Sequence, residues 1–282
     1  MTNAKKMAML SLVKSMQHRS TSEFGHGHIL MVPIIISTIL VSILLAGCAS
    51  PQNLSNVYIL ALSYQSTPQV SARGAPATNI SNSISAAVGL SNTVEVRAGY
   101  FNLCVSQQGK QWECGRDASS LQDRFLDADP LNLITLASGF RDGVIFPGFL
   151  AMQIVLHFIA FIALAAFPSW YEEPGNPKID PFPTRSLAYI AQFAAGGAAL
   201  FGLLSALWQH AAAVTAGAVV SATTYGHVVS HTGTAGVSMA WISYLLLMFS
   251  FVYILVMRIF VNRFEISIDD DGNDGLNDHY QT

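Results

Sequence analysis

Cys104 and Cys114 stand ten residues apart in CVSQQGKQWEC. Two thiols at that spacing, with Gly109 between them at a turn position, can clip a hairpin with a disulfide. In the chain-entropy picture, closing so short a loop stabilises the fold by roughly 2–3 kcal/mol. Redox or metal chemistry asks for more, because a closed zinc site takes four ligands and no histidine lies near the pair. Gly99, Tyr100 and Phe101 precede the first cysteine, and Trp112 precedes the second. The three rings are expected as anchors where a small sheet meets a bilayer surface. The remaining cysteine, Cys48, ends LAGC, which matches the cleavage box of bacterial lipoproteins. The leader before it would be 47 residues long, far beyond the roughly 15–30 of a signal peptide. Cys48 therefore reads as a small residue at the end of a helix, with a free thiol.

The other reactive residue types are scattered. Asn53 in NLS and Asn79 in NIS fit the glycosylation acceptor pattern. Glu113, Asp117, Asp123, Asp127 and Asp129 form an acidic stretch interleaved with Arg116 and Arg124, and read as a solvated face. His227 and His231 are four apart, too few for a metal site. The tail DDDGNDGLNDHY resembles a calcium loop, but neither possible register supplies the glycine and glutamate an EF-hand needs. It reads as a disordered acidic tail. No nucleophile–base pair, metal triad or phosphate loop is present, so neither an enzyme nor a cofactor is expected.

The elements that position these residues follow from hydropathy. The chain has 282 residues, 51% of them hydrophobic and only 11% charged. Soluble domains carry about 25% charge, so a membrane protein is expected. With a net charge of −3 and no long basic run, nucleic acid is excluded as a partner. Four apolar runs predict transmembrane helices over 29–47, 144–167, 187–210 and 235–260. The third continues apolar past Gln209 and His210, and predicts a helix that either breaks there or projects outward. Its AAGGAALFG stretch reads as close helix packing, within the chain or between copies. Gln153, His157, Gln192, Gln209 and His210 lie within the runs and read as interhelical hydrogen-bonding groups. No carboxylate lies inside any run, which argues against a carboxylate-lined cation pore. Lys5, Lys6, Lys14 and Arg19 before the first run, and Arg258 and Arg263 after the last, place both termini in the cytoplasm. That gives a cytoplasmic segment 1–28, a first outer loop 48–143, a cytoplasmic loop 168–186, a second outer loop 211–234 and an acidic cytoplasmic tail 261–282. Within the first outer loop, NVYILALSY and TVEVRAGYFNLCVSQ read as strands, with Gln65 to Asn92 as a loop between them.

Four runs, a large first outer loop, and RAGYFNLCV followed by WEC resemble the claudin superfamily. The motif residues are Gly99, Tyr100, Phe101, Cys104, Trp112 and Cys114. Claudins proper carry Gly-Leu-Trp-x-x-Cys at this place. Tyr100 and Phe101 move the chain toward the fungal branch, the mating-factor-induced calcium regulator and membrane-fusion family. The resemblance implies a four-helix transmembrane bundle under a small extracellular antiparallel β-sheet. It also implies a plasma-membrane regulator of calcium influx and of cell fusion in mating or polarised growth. The partners implied are the lipid bilayer, a calcium channel or a membrane protein of the opposing cell, and a second copy of the chain.

Overall fold

The computed structural model describes residues 26–65, 78–89, 94–107, 110–167 and 185–277. Gly109 and most of the first connecting loop lie outside the described residues. In chain order the elements are α1 (His26–Leu45), β1 (Leu60–Tyr64), α2 (Thr78–Gly89), β2 (Val94–Ala98), β3 (Leu103–Gln107) and β4 (Glu113–Gly115). Then come α3 (Ala118–Phe125), α4 (Leu133–Gly143), α5 (Gly148–Ala165), α6 (Arg185–Thr223), β5 (Val228–Thr232) and α7 (Thr234–Asn277).

Among the described residues, three helical stretches are long and apolar enough to cross a membrane: Gly148–Ala165, Ser186–Thr223 and Thr234–Ile259. The apolar stretch of α1, Ile29–Leu45, is shorter. Side-chain sizes show what surrounds these helices. Large residues face outward, with Phe193 75%, Ile162 66% and Phe249 61% exposed. Small ones face inward, including Ala191, Ala195, Ala198 and Ala199 of α6. A water-soluble protein would put the large apolar side chains inside. Large outside and small inside is the arrangement expected where lipid is the solvent and helices gain by close approach. α1 packs on α5 and α7, and α6 packs on the same two helices. The AAGGAALFG stretch is used within the chain: Gly196 lies against Phe251, Gly197 against Leu156, and Gly202 against the Gln153 amide.

At one end of the helices sits a five-stranded sheet of order β4-β3-β2-β1-β5, with every neighbouring pair antiparallel. Val94, Val96 and Ala98 are buried while Glu95 and Arg97 are half-buried, the period-two alternation of a sheet with one packed face. A core cluster joins the strands to Leu133, Ile134, Ala137 and Phe140 of α4 and to Ala206, Ala213 and Val220 of α6. A second cluster, nearer the other end of the helices, joins Leu30 and Ile34 of α1 to Leu164, Ala195 and Leu247.

Several sequence expectations are corrected. The third run takes the projecting alternative rather than the break, but ends later than 210: α6 runs unbroken through Gln209 and His210 to Thr223, because its outer half still has a surface to bury, the β5 side of the sheet. The following residues are not simply a loop: Val228–Thr232 add an edge strand on β1, with Leu62 opposite Ser230. The Gln65–Asn92 stretch contains helix α2, whose alternation of small and apolar residues the abundance of Ser and Asn conceals. The acidic tail was expected to be disordered, yet the backbone continues as helix to Asn277. A helix already nucleated extends at the cost of ordering one residue per hydrogen bond.

Candidate functional site

The sequence motif converges where the sheet meets the helices. β2 and β3 are joined by a tight turn in which Gly99 N–H donates to Asn102 O at 2.9 Å. Gly47, just past α1, comes so close that a Cβ on Gly99 would lie 2.6 Å from Gly47 O. That contact is backbone against backbone and cannot move aside, so the motif glycine is required by close approach. Register places Cys104 directly opposite Cys114 on β3 and β4. The two form a disulfide, with Cα atoms 4.0 Å apart. This is shorter than the commonest 4.4–6.8 Å, since the partners face each other across adjacent strands. Cys104 is fully buried and its Sγ lies 3.5 Å from the carbonyl oxygen of Cys48.

Cys48 is a free, fully buried thiol whose S–H points to Val57 O at 3.6 Å. Burial pushes this thiol up to about 12, with only a partial offset from the Arg97 charge. It is therefore an inert thiol rather than a nucleophile.

The aromatic anchors divide. Phe101 is 43% exposed, as an anchor would be. Tyr100 is not an anchor: it is 4% exposed, sits in the core, and donates its hydroxyl to Gln209 Oε1 of α6 at 3.2 Å. Burial pushes its phenol up to about 12, a shift that the Ser205 hydrogen bond only partly offsets. Trp112 is half-buried beneath the Arg97 guanidinium, which lies 4.0 Å from its ring centre and 4.8 Å from that of Tyr58. The same guanidinium donates to Glu95 Oε1 at 2.8 Å, Ser55 O at 2.9 Å and Asn56 Oδ1 at 2.8 Å. Arg97 is thus the hub that ties β2, the β4 clip and the segment before β1. Sequence reading saw it only as a strand residue. Its signal was its place opposite Cys104 in the register, which needs the pairing to be known.

The acidic stretch also divides. Glu113 pairs with Arg124 at 3.0 Å on the surface. Asp129, expected to be solvated, is 4% exposed. It accepts from Leu133 N at 2.8 Å and Ile134 N at 3.0 Å, which satisfies the first turn of α4. It also accepts from the Tyr64 hydroxyl at 2.5 Å, and burial together with this bond pushes the Tyr64 phenol up. His227 is buried and His231 exposed, and among the described residues no cluster of three or more His, Cys, Asp or Glu could hold a metal ion. Both glycosylation acceptors, Asn53 and Asn79, are exposed.

Within the helices the polar residues meet as expected for interhelical contacts. Gln153 Nε2 donates to Ser243 Oγ at 3.0 Å, Ser243 Oγ pairs with Ser37 Oγ at 2.7 Å, and His157 Nδ1 lies 3.0 Å from Thr38 Oγ1. Gln192 accepts from Arg258 at 2.5 Å, while His210 is exposed.

Apolar helices with lipid-type packing, capped by a sheet that a disulfide clips and an arginine ties together, define a class: integral membrane proteins with a compact folded head. Within it the chain belongs to the family described as Ca2+ regulator and membrane fusion protein Fig1, whose family model matches residues 78–260. The match takes in the disulfide, strands β2 to β5, helices α5 and α6, and α7 as far as residue 260. No curated protein matches the chain.

Proposed function

We propose that this protein is a plasma-membrane regulator of calcium influx and membrane fusion in mating or polarised growth, and that it works through its sheet domain. The family match over residues 78–260 carries the reading. In it, α1 joins the other three long helices as a fourth span of a claudin-like bundle, a view supported by its packing on α5 and α7. Both termini are cytoplasmic and the sheet faces outward, where the disulfide persists. The head contacts a calcium channel or a membrane protein of the opposing cell, and a second copy is a further partner. The absence of carboxylates from the apolar runs favours regulation over conduction.

The test is calcium uptake and fusion efficiency in cells lacking the chain, restored with either the native form or Arg97→Ala. Native chain should restore both. Arg97→Ala should insert and reach the surface in reduced amount, and restore less per molecule delivered. Purified chain alone giving cation conductance in a planar bilayer would replace this reading with a pore.

A further inference from the structure

The polar side chains between the helices form one hydrogen-bonded chain, whose direction follows from the orientation of the Gln153 amide. Each hydroxyl carries one proton. Thr38 donates its proton to Ile34 O at 2.8 Å, so the proton between Thr38 and His157 belongs to His157 Nδ1. The neutral imidazole then presents Nε2 as an acceptor to Ser37 Oγ, 3.5 Å away. Ser37 in turn accepts from Ser243, and Ser243 accepts from Gln153 Nε2. In this direction the chain begins at the Gln153 amide.

At that head one atom is left over. Gln153 is 1% exposed, and its Oε1 has no hydrogen-bond partner. The same shortfall recurs at Gln209, 4% exposed, whose Oε1 accepts from Tyr100 while Nε2 has no partner. Turning either amide over does not help. The Gln153 chain would then run backwards and leave its NH2 unpaired, and Gln209 would leave its carbonyl unpaired. One polar amide atom is surplus at each residue in both orientations.

Buried polar atoms in a folded chain are paired, and water is the usual partner where protein supplies none. A cation suits neither place: Gln209 offers a donor, and Gln153 offers one free oxygen with no carboxylate nearby among the packed helices. Gln153 packs against Gly202, and Gln209 lies seven residues further along the same helix, about 10 Å along its axis. One water cannot serve both.

We propose that Gln153 and Gln209 each bind an ordered water molecule inside the helix packing, the first donating to Gln153 Oε1 and the second accepting from Gln209 Nε2. The lower water heads the chain that ends at Thr38 and Ile34. The upper one lies beneath the sheet, beside Tyr100 and toward Tyr58 O, which approaches the same glycine, Gly236, that the Gln209 amide approaches.

The test is a structure of the full chain in lipid at a resolution that shows ordered water, alongside Gln153→Met and Gln209→Met. A density peak about 2.7–3.2 Å from the surplus atom of each amide is expected. Each Met variant should lose its own peak and keep the other. X-ray radiolytic labelling gives a second measure in solution, because a bound water generates hydroxyl radicals in place. Buried Tyr100 should be labelled in the native chain and severalfold less in Gln209→Met, with exposed Phe101 unchanged. Ordered water elsewhere with none at either amide, or Tyr100 labelling indifferent to Gln209→Met, overturns the proposal.

Discussion

Single residues at the junction of sheet and helices answer to distances that leave little choice. Gly99 meets the carbonyl of Gly47, so Gly99→Ala must push two backbone segments apart. The expected cost is about 1–3 kcal/mol, as for other overpacked sites. Thermal unfolding of purified chain should show a lower midpoint, and an unchanged midpoint would mean that the two segments are free to separate. Cys48 makes a different prediction. Its thiol is held neutral up to about 12, while an unfolded chain ionises it from 9.0 upward. Protons are therefore lost more readily from the unfolded state, and stability falls as pH rises from 9.0 toward about 12. Below 9.0 that contribution is intact. Cys48→Ala should show a shallower alkaline loss than native chain, and native Cys48 should resist maleimide until denaturant is added. The two cysteines of the clip were legible in the sequence because hairpin spacing is local. Arg97 and Asp129 were not: one gains its role from Tyr58 and Trp112, the other from Tyr64 and α4. Those partners are distant in sequence, and a charged side chain looks solvated until its partners are known.

Elements show the same division. Apolar runs of membrane length announced the helices directly, since lipid demands an uninterrupted apolar surface. The outer half of α6 was harder to read. Its small residues give no strong period, and its continuation depends on packing against β1 and β5. Gly217 of α6 sits against the Ser230 side chain of β5 with no room for a side chain of its own. Gly217→Leu should therefore lever β5 from the sheet edge. Amide exchange at Val228–Thr232 should accelerate while β2 and β3 stay protected. β4 is the other edge, three residues long and held by the disulfide. Cys104→Ser with Cys114→Ser should destabilise the head by roughly 2–3 kcal/mol and speed exchange at Glu113–Gly115. The helices should still insert, because their apolar surfaces do not involve the clip. Exchange at Glu113–Gly115 as slow as in native chain would show that the ladder and Arg97 suffice.

For the whole molecule the strongest constraint is which way the head faces. Basic residues flank the first and last apolar runs, and both acceptor asparagines lie on the sheet side of the helices. In the proposed four-span layout, with α1 as the fourth, both termini lie on one side. Asn53 and Asn79 are exposed on the folded head, so attached sugars would meet no packed surface. Asn53→Gln and Asn79→Gln should each remove one glycan-sized step from the electrophoretic mobility of chain made in a eukaryotic cell. The double variant should match enzymatically deglycosylated protein. A tag after Thr282 should be reached by antibody only in permeabilised cells. Three spans, with α1 lying outside the bilayer, would instead leave the two ends of the chain on opposite faces. A tag before Met1 accessible in intact cells, with glycans still on Asn53 and Asn79, would thus remove α1 from the membrane and with it the four-span layout.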